Sequence, residues 1–73
     1  FKEQINITIA SEKEQYATIM LFDMHGKIFE NHSVLIHEGI NSLSVPTYKL
    51  TPAPYLLKFL TETHLIYKEV IKL

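Results

Sequence analysis

The sequence predicts an all-β fold, a small β-sandwich of about six or seven antiparallel strands, on three observations. Apolar residues alternate with polar ones or gather in short β-branched and aromatic runs; turn residues recur about every ten positions; and no segment keeps an apolar repeat of about 3.6 residues over three turns. Strands patterned this way have apolar faces, and stacking two sheets hides those faces from water.

The elements follow in order. Ile5-Asn6-Ile7-Thr8-Ile9 puts three isoleucines on one face of a strand and the polar pair on the other. Ser11 to Gln15 is wholly polar and reads as a solvated connector. Thr18 to Asp23 is apolar on both faces, with Ile19 and Leu21 on one side and Met20 and Phe22 on the other, as an interior strand requires. Asp23-Met24-His25-Gly26 then turns the chain. Gly26 takes positive φ without steric cost and the Asp23 side chain bonds nearby amides, so a hairpin is expected.

Ile28-Phe29 opens the next strand, and the polar Glu30-Asn31-His32-Ser33 is expected to break it with a bulge or bend before Val34-Leu35-Ile36. His37 to Asn41 is a second turn, with Gly39 at positive φ, after which Asn41, Leu43 and Val45 share a face. Pro46 to Pro54 holds all three prolines and is expected to be a crossover loop, because proline removes amide donors from a ladder. Tyr55, Leu57 and Phe59 then face one way and Leu56, Lys58 and Leu60 the other. Thr61 to His64 turns, and Leu65 to Leu73 forms the last of six strands.

Composition narrows the function. A chain of 73 residues is one domain, and at this size it buries only about 60% of the surface its unfolded form exposes. The longest apolar run, Ile19 to Phe22, is far short of the roughly 20 residues of a membrane-spanning helix. Seven scattered lysines against eight acids, for a net charge of −1, make no nucleic-acid footprint. The absence of Cys excludes disulfides, thiolate nucleophiles and Cys-ligated zinc. No leader precedes the first strand, and an opening of Phe-Lys-Glu-Gln without Met is expected of a piece of a longer protein.

Chemistry-bearing residues are present without a chemistry-bearing pattern. His25, His32, His37 and His64 match no ligand spacing and most sit beside turns, so they read as solvated and no metal or cofactor is expected. Asp23, His25 and Glu38 lack a nucleophile motif or phosphate loop beside them, and no catalytic residue is assigned. Tyr48 and Tyr67 combine flat apolar rings with polar tips, which suits either the edges of a sandwich or a carbohydrate- or protein-binding platform. The closing Tyr67-Lys68-Glu69-Val70-Ile71-Lys72-Leu73 has no polar tail. It reads either as a strand that completes the core or as a terminal address read by a partner through strand pairing and charge.

Four landmarks in order carry a resemblance. Leu21-Phe22-Asp23-Met24-His25-Gly26-Lys27, Gly39-Ile40-Asn41, Leu50 followed by Tyr55, and Lys68-Glu69-Val70-Ile71-Lys72 are similar to the C-terminal sorting domain of proteins exported by the type IX secretion system of Bacteroidota, in its type A form. The resemblance covers nearly the whole chain. Two departures stand out. The family's Leu-Pro-x-Gly-x-Tyr is replaced by Leu50-Thr51-Pro52-Ala53-Pro54-Tyr55, where Ala53 before a proline is pushed to an extended conformation. The family's Pro-Asn-Pro stretch is missing, and Phe1-Lys2 resembles the run that would follow it.

The resemblance implies an Ig-like sandwich, residues 1–73, acting as the non-catalytic secretion signal of a larger exported protein. It implies type IX machinery and a sortase-like protease as partners, with the cargo reaching the cell surface or the medium by way of the periplasm and outer membrane. Lys68, Val70, Ile71, Lys72 and Leu73 are the residues this reading assigns to the machinery, and Asp23, Gly26, Lys27, Gly39, Asn41 and Tyr55 are assigned to structural turns. The rival reading is a carbohydrate- or protein-binding accessory sandwich using Tyr48 and Tyr67.

Overall fold

The architecture is known from a computed structural model that describes residues 3–73; Phe1 and Lys2, assigned above to a run preceding the first strand, lie outside the described residues. Six strands and no helix make up the described chain: β1 (Gln4–Ser11), β2 (Gln15–Asp23), β3 (Ile28–Ile36), β4 (Gly39–Pro46), β5 (Pro54–Leu60) and β6 (Leu65–Ile71). All pairings are antiparallel. A two-stranded sheet, β1-β4, faces a four-stranded sheet in the order β3-β2-β5-β6. The chain is therefore a small β-sandwich in which β2-β3 and β5-β6 are hairpins and the remaining connections change sheet.

The alternating patterns build the core. Ile5 of β1 and Val45 of β4 meet Ala17, Ile19 and Leu21 of β2, Ile36 of β3, and Tyr55, Leu57 and Phe59 of β5 in one buried cluster. Burying a side chain of this kind stabilises the fold by about 1.5–3 kcal/mol, before the cost of ordering the chain. The cluster joins the two layers. The opposite face of the four-stranded sheet has no layer over it among the described residues, and Tyr16, Leu35, Leu65, Tyr67 and Ile71 lie exposed there. β2 is interior in pairing, but only one of its two apolar faces is covered.

Three boundaries differ from the sequence expectation. Gln15 belongs to β2 and is buried, because its Nε2 donates to Ser11 Oγ at 2.9 Å and its Oε1 accepts from the Glu62 amide at 3.2 Å. A satisfied amide side chain at a sheet corner costs little to bury. The 30–33 stretch does not interrupt β3: Glu30 and His32 face inward at the sheet's edge and contact each other at 3.1 Å. The irregularity falls earlier, where the register shifts between Leu21/Glu30 and Phe22/Ile28 and leaves Phe29 as the extra residue. That bulge aims the Phe29 ring edge-on at Tyr55, with centroids 5.8 Å apart. Finally, β6 stops at Ile71 instead of running to Leu73.

Candidate functional site

The residues assigned to recognition sit on the terminal stretch, and the structure divides them into two groups. Lys68 and Val70, with Ile66, project from alternate positions of β6 into a cleft of about 290 Å³ whose other walls are β1 and the core residues Leu57 and Phe59 of β5. Among the described residues lining this cleft, Lys68 is the one that is charged. Ile71 and Leu73 point away into solvent, at 56% and 71% exposure.

Lys72 is only 8% exposed. Its Nζ donates to the Thr47 carbonyl at 2.8 Å and its backbone amide to the Ala53 carbonyl at 2.9 Å. Lys72 thus carries the β5–β6 register one pair further, opposite Ala53, and its side chain fastens this end of the sheet to the 47–53 loop. The same loop is held from two further directions. Tyr55 Oη donates to the Thr51 carbonyl at 2.7 Å, and the Thr47 amide donates to the Glu3 carbonyl at 2.8 Å. The loop thus closes one end of the sandwich, and Lys72 is its bolt. The resemblance assigned this lysine to the machinery alongside Lys68, since nothing in a one-dimensional pattern distinguishes a lysine that reaches solvent from one that reaches a carbonyl.

The turn residues have local tasks. Gly26 and Gly39 adopt φ of +88° and +103°, and no other described residue has positive φ. Asp23 Oδ1 accepts from the His25 and Lys27 amides at 2.8 and 2.9 Å, while the Asp23 amide donates to the Lys27 carbonyl at 2.9 Å. The Lys27 amide above all, then that of His25 and the nearby positive charges of both residues, hold the Asp23 carboxyl below its ordinary value of 3.8 against partial desolvation, which acts the other way. Lys27 Nζ lies 5.1 Å from the Phe29 ring centroid. At the 37–38 corner, Asn41 Oδ1 accepts from the His37 amide at 2.9 Å and Asn41 Nδ2 donates to the His37 carbonyl at 2.8 Å. Tyr55 is buried to 2%, at the closed end.

The remaining candidates are dispersed. Asp23 and Glu38 lie at opposite ends of the β2-β3 pair, since Asp23 closes β2 and Glu38 follows the strand end paired with Gln15. His32 contacts Glu30, His37 Nδ1 lies 3.1 Å from Glu14 Oε2, and His64 Nδ1 is 2.9 Å from Thr63 Oγ1. Among the described residues no group of three or more such side chains is arranged to hold a metal ion. Tyr48 lies in the proline loop beside Lys49, and Tyr67 lies on the uncovered face of β6 beside Lys58.

Ile5, Ile7 and Ile9 are the more buried residues of β1, as the alternation predicts; what the pattern did not show is the cleft that all of Ile5 to Ile9 border. No helix among the described residues is long and apolar enough to cross a membrane.

Comparison with known proteins bears on the whole chain. The family model described as secretion system C-terminal sorting domain matches residues 1–73. No curated protein and no solved structure matches.

Proposed function

The chain belongs to the secretion system C-terminal sorting domain family, a type IX secretion signal, and from that premise we propose that residues 1–73 are the non-catalytic C-terminal signal of a larger exported cargo. Membership implies export to the cell surface or secretion. On this reading the cargo reaches the periplasm, the folded sandwich directs it through the outer-membrane translocon, and a sortase-like protease then releases it from the domain. The observation that carries the reading is the family match over the entire chain.

The terminal stretch is the part we assign to recognition, in a narrower form than the pattern suggests. Lys68 and Val70, on the cleft wall, and the exposed side chains of Ile71 and Leu73 are the groups we assign to a partner, whereas Lys72 serves by keeping the end of the sandwich closed.

The test is export of a reporter carrying this chain at its C-terminus, in a bacterium with the type IX translocon. Deleting residues 68–73 removes half of β6 together with the bolt, so it confounds signal with fold. Lys68→Glu, on an exposed side chain, does not. With the fold verified by circular dichroism, the variant is expected to leave the reporter in the periplasm. A wild-type fusion that stays in the periplasm would overturn the sorting function, and normal export of the Lys68→Glu fusion would overturn the assignment of Lys68.

A further inference from the structure

The cleft beside β6 is asymmetric. From β6 only the alternate residues Ile66, Lys68 and Val70 line it, so the cleft meets that strand on its face. From β1 every residue between Ile5 and Ile9 lines it, both those with inward and those with outward side chains, so the cleft meets β1 along its backbone edge.

Ladder geometry shows what that edge offers. The Thr47 amide bonds the Glu3 carbonyl, and the β1-β4 register continues as Ile5↔Val45, Ile7↔Leu43 and Ile9↔Asn41. In an antiparallel ladder the hydrogen-bonded pairs alternate, so Glu3, Ile5, Ile7 and Ile9 turn their backbone groups to β4. The backbone groups of Asn6 and Thr8 therefore point the other way, into the cleft. Among the described residues β1 has β4 as its single neighbour in the sheet. Edge strands are usually guarded by charge or proline, and β1 has neither from Gln4 to Ser11. β6, the edge strand across the cleft, carries Lys68 and Glu69.

We infer that β1 accepts an additional strand from a partner protein, an extended segment that pairs with the Asn6 and Thr8 backbone and lays alternate apolar side chains over Ile66 and Val70. Charge complementarity specifies one more feature. Among the described residues Lys68 is the only charged one in the cleft wall, so the segment carries a carboxylate at the inward position facing it. Main-chain hydrogen bonds supply affinity, and the alternate side chains with the carboxylate supply selectivity. This rests on the sorting reading, for which it names the kind of ligand the folded signal takes.

The probe is a capped synthetic peptide of alternating threonine and valine with one glutamate among the inward valines, compared with the same peptide bearing lysine there. Backbone amide exchange is followed by NMR on the 73-residue chain. The glutamate peptide is expected to protect the Asn6 and Thr8 amides, and to bind about tenfold more tightly than the lysine peptide. Lys68→Glu is expected to reverse that preference with the core amides unchanged. A peptide methylated at its pairing amides should not bind. Three results would overturn the inference: no protection of β1 at millimolar peptide, protection of the β3 or β4 edge in its place, or concentration-dependent self-association that protects the same amides without peptide. Any of these with wild-type export intact removes the strand-addition mode and leaves the sorting function standing; periplasmic retention of the wild-type fusion removes the sorting function itself.

Discussion

Lys68 and Lys72 stand one above the other in sequence and belong to two regions of different character. Around Lys72 the sandwich is closed: the 47–53 loop is bonded to Lys72, to Tyr55 and to Glu3, and the Asp23 turn lies at the same end because Asp23 pairs with Tyr55 across the sheet. Around Lys68 the flank is open, with one strand edge and one strand face separated by a cleft. A short chain that gains its stability from one core has little to spare for order elsewhere. Here that order is concentrated at the end away from the flank, which leaves the flank free to bind.

The largest expected effect is at the closed end. Lys72→Ala removes a buried side chain and the donor that satisfies the Thr47 carbonyl, and should destabilise the fold by about 2–3 kcal/mol, read as a shift in urea midpoint. If that loss proved negligible, the bolt would be a passive contact and the contrast between the regions would fail. Tyr55→Phe deletes the hydrogen bond to the Thr51 carbonyl while keeping the ring against Phe29, and should cost about 1 kcal/mol in the same measurement. Thr47→Val has the opposite sign. The Thr47 hydroxyl is buried and has no hydrogen-bond partner, so a methyl of similar size should stabilise by up to about 1 kcal/mol.

Acid titration sharpens the comparison further. The Asp23 carboxylate is held by the amides of its own turn, so its folded value lies below the unfolded one. The charged form is favoured in the folded state, and its contribution is present above 3.8 and lost as the pH falls through the depressed folded value. Asp23→Asn keeps an acceptor oxygen but cannot titrate. The variant is therefore expected to lose that part of the acid limb in a pH series of thermal melts, and an unchanged limb would remove Asp23 from it.

The smallest stability effect belongs to the flank. Lys68→Gln should change stability by less than about 0.5 kcal/mol, since the side chain is exposed and no buried partner depends on it. A large loss would mean that Lys68 supports the fold, and a binding defect there would lose its simple meaning.

Much of this architecture was legible before any coordinate. Ile5, Ile7 and Ile9 share a face because side chains alternate in a strand, and Gly26 and Gly39 take positive φ at turns where that freedom is needed. Tyr55, Leu57 and Phe59 are buried as their spacing required. The reading failed where a polar side chain found a hydrogen-bond partner. Gln15 looked like loop until Ser11 and Glu62 satisfied it, and Glu30 and His32 looked like a break until they met at a sheet edge.

The sequence by itself determined that the chain is a six-stranded β protein, where its turns fall, and which face of each strand is apolar, because these follow from local sterics and period-two patterning. It also determined the family, through the order of its turn landmarks. Only the tertiary structure decided that Lys72 is buried against Thr47 while Lys68 is free, and that the exposed edge of β1 lies across a cleft from β6. Both depend on contacts between segments far apart in the chain. A hydrogen bond from residue 72 to residue 47, or a gap between the first strand and the last, has no signature in the residues on either side of it.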